Sequence, residues 1–162
     1  MADTLQFNPG RNKKADLFEK YMKDNDLNFF QRRDVHDQKD TVVFITAVPA
    51  GDSHRLVAAV LTDNSMYTVV RIHLGIAPVG PAHQTFLAFI GKLNATHSIF
   101  KYTLTEDNNA FLDICITSRP DFFDPEVVRT SLNLIVYHLQ ETYEDIARRL
   151  AKPGDASEGF EL

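Results

Sequence analysis

Histidine has the widest chemical range of the residues in this chain, because imidazole acts as an acid, a base or a metal ligand near neutral pH. The chain has six histidines, which are His36, His54, His73, His83, His97 and His138. No two of them stand four residues apart on a predicted helix with an acidic partner, and there is no Cys pair, so a zinc site has no local signature. We therefore predict no metal site, and we interpret each histidine as a solvated or hydrogen-bonded side chain.

The single cysteine, Cys115, lies within the alternating segment Leu112-Asp113-Ile114-Cys115-Ile116. A thiol becomes a nucleophile when it is exposed and its pKa is low, and a core position on a β-strand favours neither. We expect Cys115 to be a small, buried, apolar side chain without a catalytic role.

Neighbouring carboxylates occur in three places, at Glu106 and Asp107, at Asp121 and Asp124, and at Glu141, Glu144 and Asp145. General acid–base catalysis needs one carboxyl group to be desolvated, whereas these lie in a predicted loop, at a helix start and on a polar helix face. The glycines of residues 75–80 match neither nucleotide-binding pattern. We predict no catalytic residue and no cofactor, and therefore no enzyme.

The elements that must position these side chains follow from the apolar periodicity. Helices are predicted at residues 12–25, with Asn12 as N-cap, at 81–94, and from Asp124-Pro125 to Lys152. Strands are predicted at residues 41–48, 55–61 and 66–74, and weakly at 28–35, and a hairpin pairs residues 98–105 with 110–117. This order, α-β-β-β(-β)-α-β-β-α, predicts an α+β fold in which helices pack on an antiparallel sheet.

A chain of 162 residues has the usual length of one domain. We expect a flexible N-terminal segment at residues 1–11, a single α+β domain at 12–152 and a disordered acidic tail at 153–162. The net charge of −5 argues against nucleic-acid and anionic-membrane partners. The lone cysteine and the absence of a signal-peptide pattern lead us to expect a soluble cytoplasmic protein.

The long predicted helix carries a second set of apolar residues beyond the stripe that faces the sheet. This set is Val127, Leu134, Val136 and Tyr137. Apolar side chains in excess of what a core needs often mark an interface. We therefore predict that these four residues form the interface of a homodimer or of a complex with a partner protein, the alternative being that the helix is buried on two sides.

The pattern of residues 86–150 resembles a known family. The stretch includes an apolar helix ending Phe89-Ile90-Gly91-Lys92-Leu93-Asn94, a hairpin that begins Phe100-Lys101-Tyr102-Thr103-Leu104, and the start of the long helix at Asp124-Pro125. In these features the chain resembles the YbjN-like family of bacterial proteins, whose fold is similar to that of class I type III secretion chaperones. The resemblance implies a homodimer that binds or regulates other proteins, and it carries over no functional residue.

Three functions follow as hypotheses. The first is a non-catalytic, chaperone-like or regulatory domain that binds an unidentified protein partner and acts as a homodimer. The second is a small-molecule-binding or enzymatic α+β domain with a pocket near residues 73–83. In the third, an extended segment of a partner adds to an edge of the sheet.

Overall fold

A computed structural model describes residues 12–152, so the predicted flexible segment 1–11 and the predicted acidic tail 153–162 lie outside the described residues. The elements are α1 (Lys13–Asp24), β1 (Gln31–Asp34), β2 (Val42–Ala50), β3 (His54–Thr62), β4 (Tyr67–Ile76), α2 (Pro81–Thr96), β5 (Lys101–Leu104), β6 (Asn109–Thr117) and α3 (Pro125–Ala147).

The six strands form one antiparallel sheet in the order β1-β2-β3-β4-β6-β5. In the β1–β2 pair, Gln31 lies opposite Ile45 and Asp34 opposite Val42, and in the β5–β6 pair Tyr102 lies opposite Leu112. Burial alternates along β2 and β4, which is the pattern of strands with one covered face. The predicted α+β class and order are confirmed, and the weakly predicted first strand is present as β1.

The described chain divides into two compact units. Unit 1 holds the described residues up to Thr46, together with Ala58–Val70 and Cys115–Asn133. Unit 2 holds Ala47–Val57, Arg71–Ile114 and the described residues from Leu134 onward.

Unit 1 has an aromatic core beneath α1. The Asn12 side chain accepts a hydrogen bond from the amide of Ala15 at 2.9 Å, which caps α1 as predicted. The helix then places Phe18 against Phe44, with ring centroids 5.0 Å apart in an edge-to-face arrangement. Lys14 lies on this apolar side with its side chain fully buried, and its ammonium group donates to the carbonyl of Tyr67.

Unit 2 is held by the second half of α3 and by the β2–β3 turn. Glu144 accepts a hydrogen bond from the amide of Asp52 at 3.0 Å, and the amide of Gly51 donates to the carbonyl of Leu139 at 3.1 Å. The hydroxyl of Tyr143 donates to the carbonyl of Leu74 at 2.8 Å. These contacts fix the turn and β4 against the same side of the helix.

The boundaries of several elements differ from the prediction. β5 begins at Lys101, three residues later than expected, and α3 ends at Ala147 instead of running to Lys152. The last turn tightens because the amide of Arg149 bonds to the carbonyl of Ile146 at 2.9 Å, and the amide of Ala151 then pairs with the carbonyl of Ile76. Tertiary hydrogen bonds thus end the helix before the Pro-Gly signal that follows it in the sequence.

The expected burial of Cys115 is wrong, because its side chain is exposed. Successive residues of a strand point to opposite faces, and Ile114 beside it is buried. Cys115 therefore lies on the less covered face of β6. The sequence did not indicate this face, because the residues on either side of Cys115 are apolar.

Candidate functional site

The predicted interface lies on α3, a helix that begins at a strong N-terminal cap. The carboxylate of Asp124 accepts a hydrogen bond from the amide of Glu126 at 2.9 Å, and Pro125 occupies the first turn. The buried side of the helix consists of Val128, Leu132, Ile135, Leu139, Tyr143 and Ile146. These residues recur three or four positions apart, as required for a helix that packs along one side.

The four predicted interface residues fall into two groups. Val127, Leu134 and Tyr137 are 44%, 39% and 66% exposed. At about 100° per residue, Leu134 lies almost in line with Val127, and Tyr137 lies within about 80° of that line. Val136 is half-buried and about 180° from Val127. The structure therefore brings three of the predicted residues onto one exposed stripe and places Val136 on another side of the helix.

The middle of α3 lacks formal charge. Residues 130–140 contain no Asp, Glu, Lys or Arg, although Thr130, Asn133 and Gln140 are exposed. The centres of protein interfaces are depleted in charged residues and enriched in tyrosine. This run, together with the exposed stripe, has the composition of a contact surface.

The two edges of the sheet differ in how they are covered. At the β5 edge, the Asn94 amide group donates to the carbonyl of Tyr102 at 3.0 Å and accepts from its amide at 2.7 Å. Asn94 thus occupies the hydrogen-bonding positions that a further strand would use. At the opposite edge, all four residues of β1 are exposed. This observation identifies β1 as the more open edge among the described strands.

His138 is the most enclosed of the described histidines, with 6% of its surface exposed. Its ring stacks on Phe100, with centroids 4.4 Å apart and planes 25° from parallel. The ring of His97 meets it edge-on, with centroids 4.5 Å apart. The hydroxyl of Tyr102 lies 2.6 Å from Nε2 of His138. We call His97, Phe100, Tyr102 and His138 the His138 cluster.

Both titratable partners of the central hydrogen bond are neutral at pH 7. Burial, and after it the charge of His97, lowers the pKa of His138 to about 4, although Glu141 acts in the opposite direction. Burial raises the pKa of Tyr102 to about 12. A neutral phenol has one O–H and a neutral imidazole has one N–H, so one of the two groups donates in this hydrogen bond and the other accepts.

Three of the described histidines outside the cluster have separate partners. His54 Nε2 lies 3.3 Å from the Glu144 carboxylate, and His73 Nε2 lies 3.0 Å from the Asn109 side chain. His83 Nδ1 lies 3.0 Å from the carbonyl of Pro78. His73 and His83 were the basis for the hypothesis of a pocket near residues 73–83. Each of them contacts a nearby protein group, the Asn109 side chain and the Pro78 carbonyl respectively.

A polar cleft of about 240 Å³ lies in unit 1, and it does not include residues 73–83. It is lined by Asn12, Asp16, Arg32, Asp34, His36, Asp40, Thr41 and Val42. Arg32 is paired with Asp34 at 2.9 Å and with Glu19 at 3.3 Å, and the Asp40 carboxylate accepts from Asn64 at 2.8 Å. Arg32 and Asp34 are thus paired with each other within the lining, while Arg32 and Asp40 also bind residues outside it.

Residues 12–152 contain neither a metal site nor a membrane-spanning helix of recognisable form. No group of three or more His, Cys, Asp or Glu side chains in this range is placed to hold a metal ion. No helix in the same range is long and apolar enough to cross a membrane.

Lys14 and the His138 cluster were not predicted to be of interest, although the sequence contains a signal for each. Lys14 precedes Phe18 by four positions and His138 follows Ile135 by three, so both stand on the buried side of an amphipathic helix. A polar residue at such a position must find a partner inside the protein.

The fold and these surfaces define an α+β protein with a six-stranded antiparallel sheet, a charge-free helix surface and one open sheet edge. No family model matches the chain, and no curated protein or solved structure matches it either. The YbjN-like resemblance therefore stays a prediction from the sequence.

Proposed function

We propose that this chain is a non-catalytic, protein-binding domain, chaperone-like or regulatory, which acts as a homodimer through the exposed stripe of α3. The observation that carries the proposal is the exposure of Val127, Leu134 and Tyr137 on a helix whose residues 130–140 lack formal charge. Water-exposed apolar area on such a surface is removed from solvent when two copies associate, at about 25 cal/mol per Å². A cytoplasmic location belongs to the same proposal and is supported by the single cysteine.

Light scattering coupled to size-exclusion chromatography tests the dimer. The wild-type chain is expected to elute at twice its 18.4 kDa mass at micromolar concentration. The double variant Leu134→Asp with Tyr137→Asp is expected to elute as a monomer, because association would bury two carboxylates.

A matched control uses an exposed apolar residue away from α3. Val79 is 67% exposed, and Val79→Asp is expected to keep the wild-type mass. A wild-type protein that stays monomeric up to tens of micromolar would contradict the dimer, and an equal loss of mass in the Val79 variant would place the interface elsewhere.

The open edge of β1 is the surface on which we propose that the partner protein binds. An extended segment gains main-chain hydrogen bonds by pairing with an exposed strand. The N–H groups of Arg32 and Asp34 point away from β2, because Val35 pairs with Thr41 and hydrogen-bonded pairs alternate along the strand. Replacing Arg32 with proline removes one of these outward donors and is expected to abolish partner binding without changing the oligomeric mass. A partner captured equally well by Arg32→Pro and by the wild type would contradict binding at this edge.

The alternative function, a small-molecule-binding or enzymatic domain, is tested by a separate experiment. A thermal-shift panel of metabolites and metal ions is expected to leave the melting temperature unchanged at high ligand excess. A stabilising ligand whose effect is lost on replacing His73 or His83 would favour the alternative.

A further inference from the structure

The His138 cluster joins three parts of unit 2 through one imidazole. His97 follows the end of α2, Phe100 precedes β5, and Tyr102 belongs to β5 itself, while His138 comes from α3. The ring centroids of these three residues lie 4.5, 4.4 and 6.0 Å from that of His138. Residues 97–104 therefore contact α3 at His138, and the Tyr102 hydroxyl also interacts with Thr142 of that helix.

Adding a proton to this ring constrains its contact with Tyr102 and opposes its contact with His97. A protonated imidazole carries a hydrogen on both nitrogens, so the Tyr102 hydroxyl, 2.6 Å from Nε2, could then only accept from it. The new charge would be enclosed on a ring that is 6% exposed. The positive charge of His97 would oppose the new charge on His138. Glu141, which lies on the same helix as His138, is the acidic group that favours the new charge.

The backbone contacts of β5 do not respond to acid in this way. On one edge Tyr102 is held by the neutral amide of Asn94, and on the other edge β5 pairs with β6, where Thr103 lies opposite Phe111. Neither a carboxamide nor a peptide group titrates between pH 4 and pH 7. Acidification therefore acts on the attachment of this segment to α3, and the hydrogen bonds to β6 and α2, which do not titrate, open only once that attachment is lost.

We propose that the His138 cluster is an acid-operated latch, in which proton uptake by the imidazole releases residues 97–104 from α3 while the rest of unit 2 stays folded. Release exposes Phe100, which is 8% exposed in the closed form, beside Ile99, which is already 53% exposed. The open state thus presents an apolar surface next to the edge strand β5. This regulation is independent of the dimer interface proposed above.

The direction of the pH dependence follows from proton linkage. In the open state His138 has an ordinary pKa of about 6.5. The open state therefore binds more protons than the closed state between about pH 4 and about pH 6.5. The closed form keeps its full stability above this window and loses it as the pH falls through it. The two pKa values imply a roughly 60-fold rise in the opening constant between pH 7 and pH 4.5.

Hydrogen–deuterium exchange of the full chain, corrected for the intrinsic effect of pH on exchange, measures this opening directly. The protection of peptides that cover residues 97–104 is expected to fall roughly 60-fold between pH 7 and pH 4.5. Peptides from β4 are expected to keep their protection. The loss is expected to reverse when the sample returns to pH 7.

The variant His138→Gln keeps a hydrogen-bond acceptor for Tyr102 but does not titrate, so its protection is expected to be independent of pH. His83→Gln is the matched control, because it removes a histidine outside the cluster, and it is expected to behave as the wild type. A wild-type response retained in His138→Gln, or an equal loss of protection in β4, would overturn the latch.

Nuclear magnetic resonance of the wild-type imidazole keeps the proposal testable if His138→Gln does not fold. The ring of His138 is expected to titrate with a midpoint near the pKa of about 4, together with a shift of the Tyr102 ring. A midpoint at the ordinary histidine value in the folded protein would overturn the proposal.

Discussion

At the scale of single residues, the clearest departure from an average soluble domain is the buried Lys14. Its ammonium lies 3.6 Å from the Asp63 carboxylate, which is 19% exposed, and it also donates to the carbonyl of Tyr67. Burial lowers the pKa of Lys14, while the charge of Asp63 and its hydrogen bond act in the opposite direction. An enclosed cation of this kind is stable only while both acceptors stay in place.

Truncation of Lys14 is therefore expected to be costly. We predict that Lys14→Ala lowers the free energy of unfolding by about 3 kcal/mol, because a cavity forms and Asp63 loses its partner. Urea denaturation measures the change. Lys20 belongs to the same helix and its side chain is 71% exposed, so Lys20→Ala is expected to change stability by less than about 0.5 kcal/mol. Equal effects of the two substitutions would disprove the structural role of Lys14.

At the scale of elements, two glycines illustrate opposite demands on the backbone. Gly51 forms the β2–β3 turn with a φ of +52°, and a Cβ atom there would collide with the carboxylate of Glu144. Gly91 lies within α2, where a Cβ atom would meet nothing within 4 Å. The first glycine is required by its turn, whereas the second only weakens its helix.

Replacing each glycine with alanine should therefore change stability in opposite directions. Gly51→Ala is expected to cost about 1–2 kcal/mol, through left-handed strain and displacement of the Glu144 carboxylate. Gly91→Ala is expected to stabilise the protein by about 0.5–1 kcal/mol. Thermal denaturation of the two variants measures both signs, and a stabilised Gly51 variant would show that the turn does not depend on Glu144.

The side chain of Asn94, which occupies the open hydrogen-bonding positions of the β5 edge, is a second feature at the scale of elements. Asn94→Ala removes two hydrogen bonds from the backbone of Tyr102, and we expect it to cost about 1–2 kcal/mol. Amide exchange at Tyr102 is expected to accelerate more than exchange at residues of β2. Gln84, which is exposed on the same helix, serves as the control, and an unchanged Tyr102 amide in Asn94→Ala would show that the side chain does not protect this edge.

At the scale of the whole molecule, the proposed dimer couples stability to concentration. If two copies must separate as they unfold, each tenfold rise in concentration adds roughly 1.4 kcal/mol per dimer. The melting temperature of the wild type is therefore expected to rise with concentration, and that of Leu134→Asp with Tyr137→Asp to stay constant. A wild-type melting temperature that is independent of concentration would argue against obligate association.

The sequence predicted the fold class because periodicity and caps act locally. Asn12 and Asp124 cap helices where expected. Burial alternates along β2 and β4 because one face of each strand is covered. The end of α3 was not predictable, because it depends on a hydrogen bond from Ala151 to Ile76, far away in sequence. The exposed stripe was largely predictable from helical spacing, whereas the His138 cluster depends on which segments the fold brings together.

The strand order has a consequence for how the chain reaches its native state. Along β1-β2-β3-β4, each strand pairs with its neighbour in sequence, and β5 and β6 form a second local hairpin. Among the described strands, only the β4–β6 pairing joins distant segments, and it must close the loop that contains α2 and β5. Loop closure of this length carries the largest entropic barrier in the sheet. Arg71, which bridges to Asp113 at 2.8 Å across this pairing, therefore marks the contact whose formation we expect to limit the rate of folding.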